Sequence, residues 1–337
     1  MSAVRDEQIT GFLSRAGWAD ANIRPLAGDA SNRRYLRLDG PAGRAVLMDA
    51  PPDTGEDTAP FINVTRWLRD QQYSAPAIRA ADIPAGLLLL EDLGDALYAV
   101  ELRDKPEEEQ RLYAAAVDLL ANLAQSPPPP WAPPYDQATL DREAALFAEW
   151  WLPAAGVNDP KARDNLLSHV YTITSPLADC RDVMVLRDYH AENLVWLPDR
   201  DLHERVGLLD YQDALAGHPA YDLVSLLEDA RRDTSDALQK NMLERYLSAR
   251  RDLDPDAFMA AYAALGAQRN LKIIGIFARL ALRDGKARYL DLIPRVWAHL
   301  LCDLEHPNLS ALRTWILSVA PTPDTALLQA IAGRSSP

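Results

Sequence analysis

Cysteine is nearly absent from this chain. Its 337 residues include two, Cys180 and Cys302, with no Cys-x-x-Cys pair and no histidine spacing suited to zinc. That argues against a disulfide framework and against a thiolate metal centre, and free thiols in a reducing compartment are expected. Positive charge is scarce as well. Lys and Arg total 35 against 49 Asp and Glu, a net charge of −14. A protein whose main partner is a phosphate backbone needs concentrated basic charge, so no nucleic-acid partner is expected; a local basic pocket stays open. Long apolar runs are missing too. The longest lies around the leucines at 87–90, far short of the ~20 residues that a membrane helix needs, so no membrane partner is expected. The N-terminus MSAVRDEQITGFLSRAGW has no apolar core behind basic residues, so it does not read as a leader, and a cytoplasmic location is expected.

Hydrophobic residues make up 48% of the chain and charged residues 25%, enough for an ordinary globular core. The length predicts two domains or lobes at roughly 100–200 residues each. A short amphipathic helix over about 5–17 precedes three strand-like runs, IRPL, RRYLRL and RAVLMDAP, separated by AGDASN and DGPAG turns. Then come the loop PPDTGEDTAP, the helical pattern FINVTRWLRDQQ, and two more strands, AIRAAD and GLLLLED. From about 105 the texture is helical, beginning with KPEEEQRLYAAAVDLLANLAQ and interrupted by SPPPPWAPP, which reads as a stiff connector. The expectation is an α+β chain: a small N-terminal sheet lobe with one main helix, residues 1–93, ahead of a larger helical lobe, residues 94–337.

Between 183 and 215 the helices give way to VMVL, NLVWL and VGLLDYQD. Polar residues sit at the edges of these apolar pieces. Asp188 stands five residues ahead of Asn193 in VLRDYHAENLVW, and Asp210 ends the third piece. Asn193 and Asp210 offer hard oxygens that suit Mg²⁺, which takes few protein ligands and leaves positions for phosphate and water. Asp188 is then available to align a hydroxyl or to accept its proton. Phosphoryl transfer asks for that division of labour, because it depends on positioning and on charge neutralisation.

RDYHAEN, residues 187–193, resembles the catalytic loop of the protein-kinase-like superfamily, and LLDYQD stands where that superfamily has its metal-binding Asp. His190 and the continuation DALAGHPAYDLVSLLEDA are closer to the aminoglycoside phosphotransferase branch. The lobe order matches as well, so the resemblance spans nearly the whole chain and implies a bilobal kinase-like fold. More narrowly, GDASNRRYLRL, VLMDAPP, LLLLEDLGD and LDYQDALAGHPAYDLVSLLEDA look like the anomeric kinases of N-acetylmuramate and N-acetylglucosamine in bacterial cell-wall recycling. The acceptor stays open between those amino sugars and an aminoglycoside, choline or homoserine. A nucleotide-binding module without turnover is the reading from another class.

The resemblance implies ATP as donor, with Mg²⁺. It puts Ser31, Asn32, Arg33 and Arg34 over the ATP phosphates and the backbone of Glu91, Asp92 and Leu93 beside adenine. Asp222 is implied as a support of the catalytic loop, and His190 as another support or a neighbour of the transferred phosphate. One departure stands out. The superfamily's third strand normally carries a phosphate-holding Lys paired with a Glu on the next helix. Here Met48 is near that place, no Lys precedes Lys105, and FINVTRWLRDQQ has no Glu. Joint loss suggests replacement, with Arg33, Arg34 and Arg37 as candidates. For the acceptor, Glu149, Trp150 and Trp151 offer a carboxylate and aromatic faces, Asp213 faces either the sugar or a neighbouring Arg, and Arg269 with Asn270 interrupts an apolar helix.

Overall fold

Alternation of apolar residues builds the first sheet. The structure is a computed structural model and describes residues 3–26, 33–41 and 43–334. Helix α1 (Ala3–Arg15) leads into strands β1 (Asn22–Pro25), β2 (Arg34–Gly40) and β3 (Gly43–Asp49). Helix α2 (Ala59–Asp70), strands β4 (Ile78–Asp82) and β5 (Leu87–Glu91), and helices α3 (Tyr98–Asp104), α4 (Glu109–Leu123), α5 (Gln137–Leu146), α6 (Leu152–Ala154) and α7 (Ala162–Thr174) follow. Four short strands come next: β6 (Val183–Val185), β7 (Leu194–Trp196), β8 (Val206–Leu208) and β9 (Leu215–Gly217). Helices α8 (Ala220–Leu227), α9 (Asp236–Ala249), α10 (Pro255–Asp284), α11 (Ile293–Asp303), α12 (Ser310–Val319) and α13 (Thr325–Ala332) complete the chain.

These elements form two compact units. The first comprises residues 1–106 and 192–213, so it runs past residue 93 and takes in the β7–β8 hairpin; the second comprises 107–191 and 214–337. In the first, the strands order as β1-β2-β3-β5-β4, all antiparallel. Leu38, Ala45, Leu47, Leu87 and Leu89 point to one face and pack with Ile9, Phe12 and Leu13 of α1. Met48, Leu88 and Leu90 are also buried, and the period of two puts them on the opposite face. Both faces of β5 are therefore covered, which explains a run of leucine instead of alternation.

The second unit is mostly helical. Helix α10 is its spine, capped by Asp254, whose side chain accepts from Ala257 N, and ended by Gly285 in the left-handed region (φ 66°). A Cβ at Gly275 would lie 2.3 Å from the carbonyl carbon of Leu146, so glycine there lets α10 approach the end of α5. The Pro-rich segment runs beside β9: Ala216 N donates to Pro133 O, and Tyr135 N donates to Ala216 O. It serves as a connector inside this unit. Cys180 and Cys302 are not disulfide-bonded. Among the described residues, no helix is long and apolar enough to cross a membrane.

Candidate active site

In the second unit the loop that leaves β6 is held from beneath. Strand β6 pairs with β9, Val185 opposite Leu215, and α8 starts just beyond β9. Asp222, in the first turn of α8, accepts the N–H of Leu186 at 2.6 Å and of Arg187 at 2.8 Å. Arg187 has φ 71°, a conformation costly for a side chain of its type, and the two bonds help offset that strain. Burial pushes the Asp222 carboxyl up to about 7, against the two amides that favour its charge.

One helical turn on, Ser225 Oγ donates to the Arg187 carbonyl at 3.0 Å and accepts from Arg269 Nη2 at 2.8 Å. The Arg187 guanidinium reaches Glu143 on α5, which also pairs with Lys272 at 3.0 Å and accepts from the Tyr135 hydroxyl. Burial opposes the charge on Glu143, but Lys272 and Arg187 prevail and hold its carboxyl below the usual range.

Asp188 leaves this frame in a tight turn, its N–H donating to Leu186 O at 2.9 Å. His190 N then donates to Asp188 O at 3.1 Å. The His190 ring is buried, and burial, with Arg231 and Arg269 against Asp229 and Asp188, lowers its pKa. The imidazole is a buried neighbour of Arg231, 3.4 Å from its Nη1. Asp229 accepts from Ala191 N at 3.3 Å and from Arg231 N at 2.8 Å, tying the end of α8 to the loop.

In the first unit, strands β7 and β8 pair with Leu194 opposite Leu208. The next step of that ladder is a bond from Leu209 N to Asn193 O at 3.0 Å. Asn193 and Asp210 therefore stand at one end of one hairpin. Asp210 takes φ 56°, and Gln212 Nε2 donates to its Oδ1 at 2.8 Å. An amide oxygen and a carboxylate at one end of a hairpin are hard oxygen donors of the kind that suits Mg²⁺.

Ser31 and Asn32 lie outside the described residues. Arg33 Nε donates to Glu56 Oε2 at 2.6 Å, and the Asp213 carboxylate acts on the same guanidinium. Burial pushes the Tyr35 hydroxyl up to about 12, with the Asp210 charge adding to it. Arg34 and Arg5 both pair with Asp49, a wholly buried carboxylate at the end of β3. Arg37 pairs with Asp92 at 2.8 Å and with Asp95. Glu91 accepts from Ala77 N at 3.1 Å and from Arg200 Nη2 at 2.7 Å. The side chains of Glu91 and Asp92 thus brace the stretch after β5, and Leu93 lies against the place where Gly207 of β8 lacks a Cβ.

The acceptor candidates scatter. Glu149 pairs with Arg163 at 3.0 Å in an exposed position, and Trp150 packs half-buried against the helical core. Neither bonds to the catalytic loop among the described residues. Asn270 is wholly buried, its amide donating to Glu228 at 2.7 Å and Asp303 at 2.9 Å, so it ties helices together within the core. Arg269 stands behind the catalytic loop on Ser225. Asp213 faces the charge of Arg33. Sequence reasoning missed Glu56, Glu143, Ser225, Asp229 and Lys272. Ser225 was within reach, since it falls on the face of α8 that carries Asp222; the other four depend on tertiary contacts.

A model of the phosphotransferase enzyme family matches residues 22–259. The chain is 39% identical to the N-acetylmuramate/N-acetylglucosamine kinase of Caulobacter vibrioides, over 95% of this chain and 98% of that protein. It is 37% identical to the kinase of the same name from Pseudomonas aeruginosa, over 88% of each. Among solved structures it resembles the choline kinase LicA of Streptococcus pneumoniae, with a TM-score of 0.63 and 13% identity over 89% of this chain and 100% of that one. An ADP-bound aminoglycoside phosphotransferase gives a TM-score of 0.59 and 14% identity over 89% and 97%. The solved structures share its kinase-like fold, and the family match covers the strands, the 187–193 loop and the β7–β8 hairpin alike: the chain belongs to the phosphotransferase enzyme family.

Proposed function

We propose that the protein transfers the γ-phosphoryl group of ATP to the C1 hydroxyl of N-acetylmuramate and of N-acetylglucosamine, releasing ADP and the sugar 1-phosphate. Such a step would salvage cell-wall sugars in the cytoplasm. The acceptor rests on one observation, the 39% identity over 95% of the chain to a kinase named for those two sugars. The transfer chemistry rests on the residues around the catalytic loop.

In this reading Asp188 receives the C1 hydroxyl, aligns it for in-line attack and takes its proton as the P–O bond forms. Asp222, Ser225 and the Arg187–Glu143 pair fix the backbone from which Asp188 projects, so little ordering is left for the reaction itself. Asn193 and Asp210 would hold Mg²⁺, which when bound neutralises phosphate charge. Ser31 and Asn32 would contact the phosphates, and backbone groups of Glu91 to Leu93 would meet the adenine edge. Exclusion of water from this site suppresses ATP hydrolysis.

The test is ADP release from Mg·ATP across amino sugars, aminoglycosides, choline and homoserine, with Asp188→Asn alongside. Turnover is expected with the two N-acetyl sugars and is lost in the variant. Turnover with aminoglycosides alone would overturn the acceptor. No acceptor-dependent ADP from the parent would favour a nucleotide-binding module.

A further inference from the structure

A nucleoside triphosphate brings more negative charge than one divalent cation cancels, so the sheet unit needs a cation of its own near the phosphates. Lysine is absent ahead of Lys105. Met48 of β3 is buried in the sheet, opposite Tyr35 and Leu88 in register, and supplies no charge. Three arginines cluster at the start of β2, and their partners tell them apart.

Arg34 shares the buried carboxylate of Asp49 with Arg5, which reaches it from α1 at 3.0 Å. That cluster welds α1 to the end of β3. Arg37 binds Asp92 through Nε at 2.8 Å and through Nη2 at 3.0 Å, and Asp95 and the Gly94 carbonyl take further contacts. It is a brace for the segment after β5. Each of the two thus holds an element of the fold through a buried carboxylate, Asp49 or Asp92.

Arg33 is different. Its partner Glu56 comes from the loop between β3 and α2, just after Gly55, whose φ of 84° turns the chain. Both side chains are largely buried, at 15% and 13% exposure. Two charges drawn out of water need a well-made contact to offset desolvation, and the pair has one at 2.6 Å. Arg33 directly follows, in sequence, Ser31 and Asn32, which the family resemblance sets over the phosphates. It also lies within the influence of Asp213, three residues after Asp210 in the segment that follows β8, and Tyr35 beside it feels Asp210. An arginine has five donors in a planar fork, so an orienting carboxylate at Nε does not by itself use up the fork.

We infer that Arg33, oriented by Glu56, grips the ATP phosphates in this protein, and that this pair replaces the missing lysine and helix glutamate. The inference rests on the ATP-dependent reading above and is independent of which sugar accepts.

The test measures binding of Mg·ATP and of adenosine by calorimetry, with KM for ATP and for the sugar, in the parent and in Arg33→Met, Arg33→Lys and Glu56→Gln. Arg33→Met should weaken ATP about 10- to 100-fold, the range for loss of a hydrogen bond between charged groups, while adenosine affinity stays within about twofold. Arg33→Lys should recover part of the loss. Glu56→Gln should weaken ATP by less, and should add nothing in the Arg33→Met background. Equal losses for ATP and adenosine would assign Arg33 to the fold alone, and unchanged ATP affinity would also overturn the inference. If the parent binds Mg·ATP but phosphorylates neither sugar, the acceptor reading fails while the nucleotide comparison still decides the role of Arg33.

Discussion

Asp222 accepts the backbone N–H of Arg187 at 2.8 Å while Arg187 sits at φ 71°. A buried carboxylate thereby keeps a costly backbone conformation in place one residue ahead of Asp188, and the neighbouring bond to Leu186 N makes the hold two-pronged.

Removing that hold should unfold as well as inactivate. Asp222→Ala strands two buried N–H groups, each costing about 1–3 kcal/mol, so a loss of about 3 kcal/mol in chemical denaturation is expected. Asp222→Asn keeps an acceptor and should lose less stability, yet kcat should still fall at least about tenfold as Asp188 loses its alignment. A normal kcat in Asp222→Asn would show that Asp188 is placed by other contacts.

Ser225, contacted by Arg269, holds the carbonyl of the same Arg187 residue. Ser225→Ala removes the donor to the Arg187 carbonyl and leaves the Arg269 fork without its hydroxyl. The expected result is a kcat reduced several-fold, with KM for ATP unchanged, and partial recovery in Ser225→Thr. A loss confined to KM for ATP would contradict this role.

Asn193 and Asp210 share the mouth of the β7–β8 hairpin through the Leu209 N to Asn193 O bond. Replacing either by alanine should raise the Mg²⁺ concentration for half-maximal activity at least about tenfold, since in the proposed site each would supply one of few protein oxygens. Asp210→Ala should be the more severe, because it removes a charge. An unchanged Mg²⁺ requirement in both variants would rule this hairpin out as the metal site.

A fourth prediction concerns pH. Burial pushes the Glu228 carboxyl up to about 7, and burial with Glu228 beside it pushes Asp303 well up. Arg269, Tyr262, Asn270 and Cys302 face the pair. A folded-state pKa raised above the unfolded value of 4.5 means the folded protein holds the proton more tightly. The contribution to stability is fully present below about 4.5 and is lost as pH rises through about 7. Melting curves from pH 5 to 8 should show the parent losing stability relative to Glu228→Gln as pH rises. Parallel curves for the two proteins would mean that Glu228 does not titrate in this window.

Much of this was legible in the residues. The five strands of the first sheet followed from alternation and turn chemistry, and three polar residues set among apolar runs marked the 187–193 loop and the β7–β8 hairpin as the candidate site. What stayed hidden is what long-range contacts decide. Strand β9 is only Leu215–Gly217, too short for a periodic signal, yet it carries the pairing that sets β6 above α8. The boundary near 93 marked the end of β5, but a later hairpin returns to the first unit, and sequence order cannot show a return. Arg269 and Asn270 break an apolar helix face in the manner of a binding site. The fold instead buries both, one behind the loop and one between two carboxylates. The choice among Arg33, Arg34 and Arg37 needed their partners Glu56, Asp49 and Asp92, which come from three different places in the chain.

The central claim is phosphoryl transfer to an anomeric hydroxyl aligned by Asp188, and phosphorus NMR of the reaction tests it most directly. With Mg·ATP and N-acetylglucosamine or N-acetylmuramate, the account predicts a new sugar phosphate signal coupled to the C1 proton, growing as ADP appears. Asp188→Asn should form it about 10²- to 10⁴-fold more slowly while still binding ATP. A product phosphorylated at another carbon, or an Asp188→Asn protein that forms the 1-phosphate at the parent's rate, would contradict it.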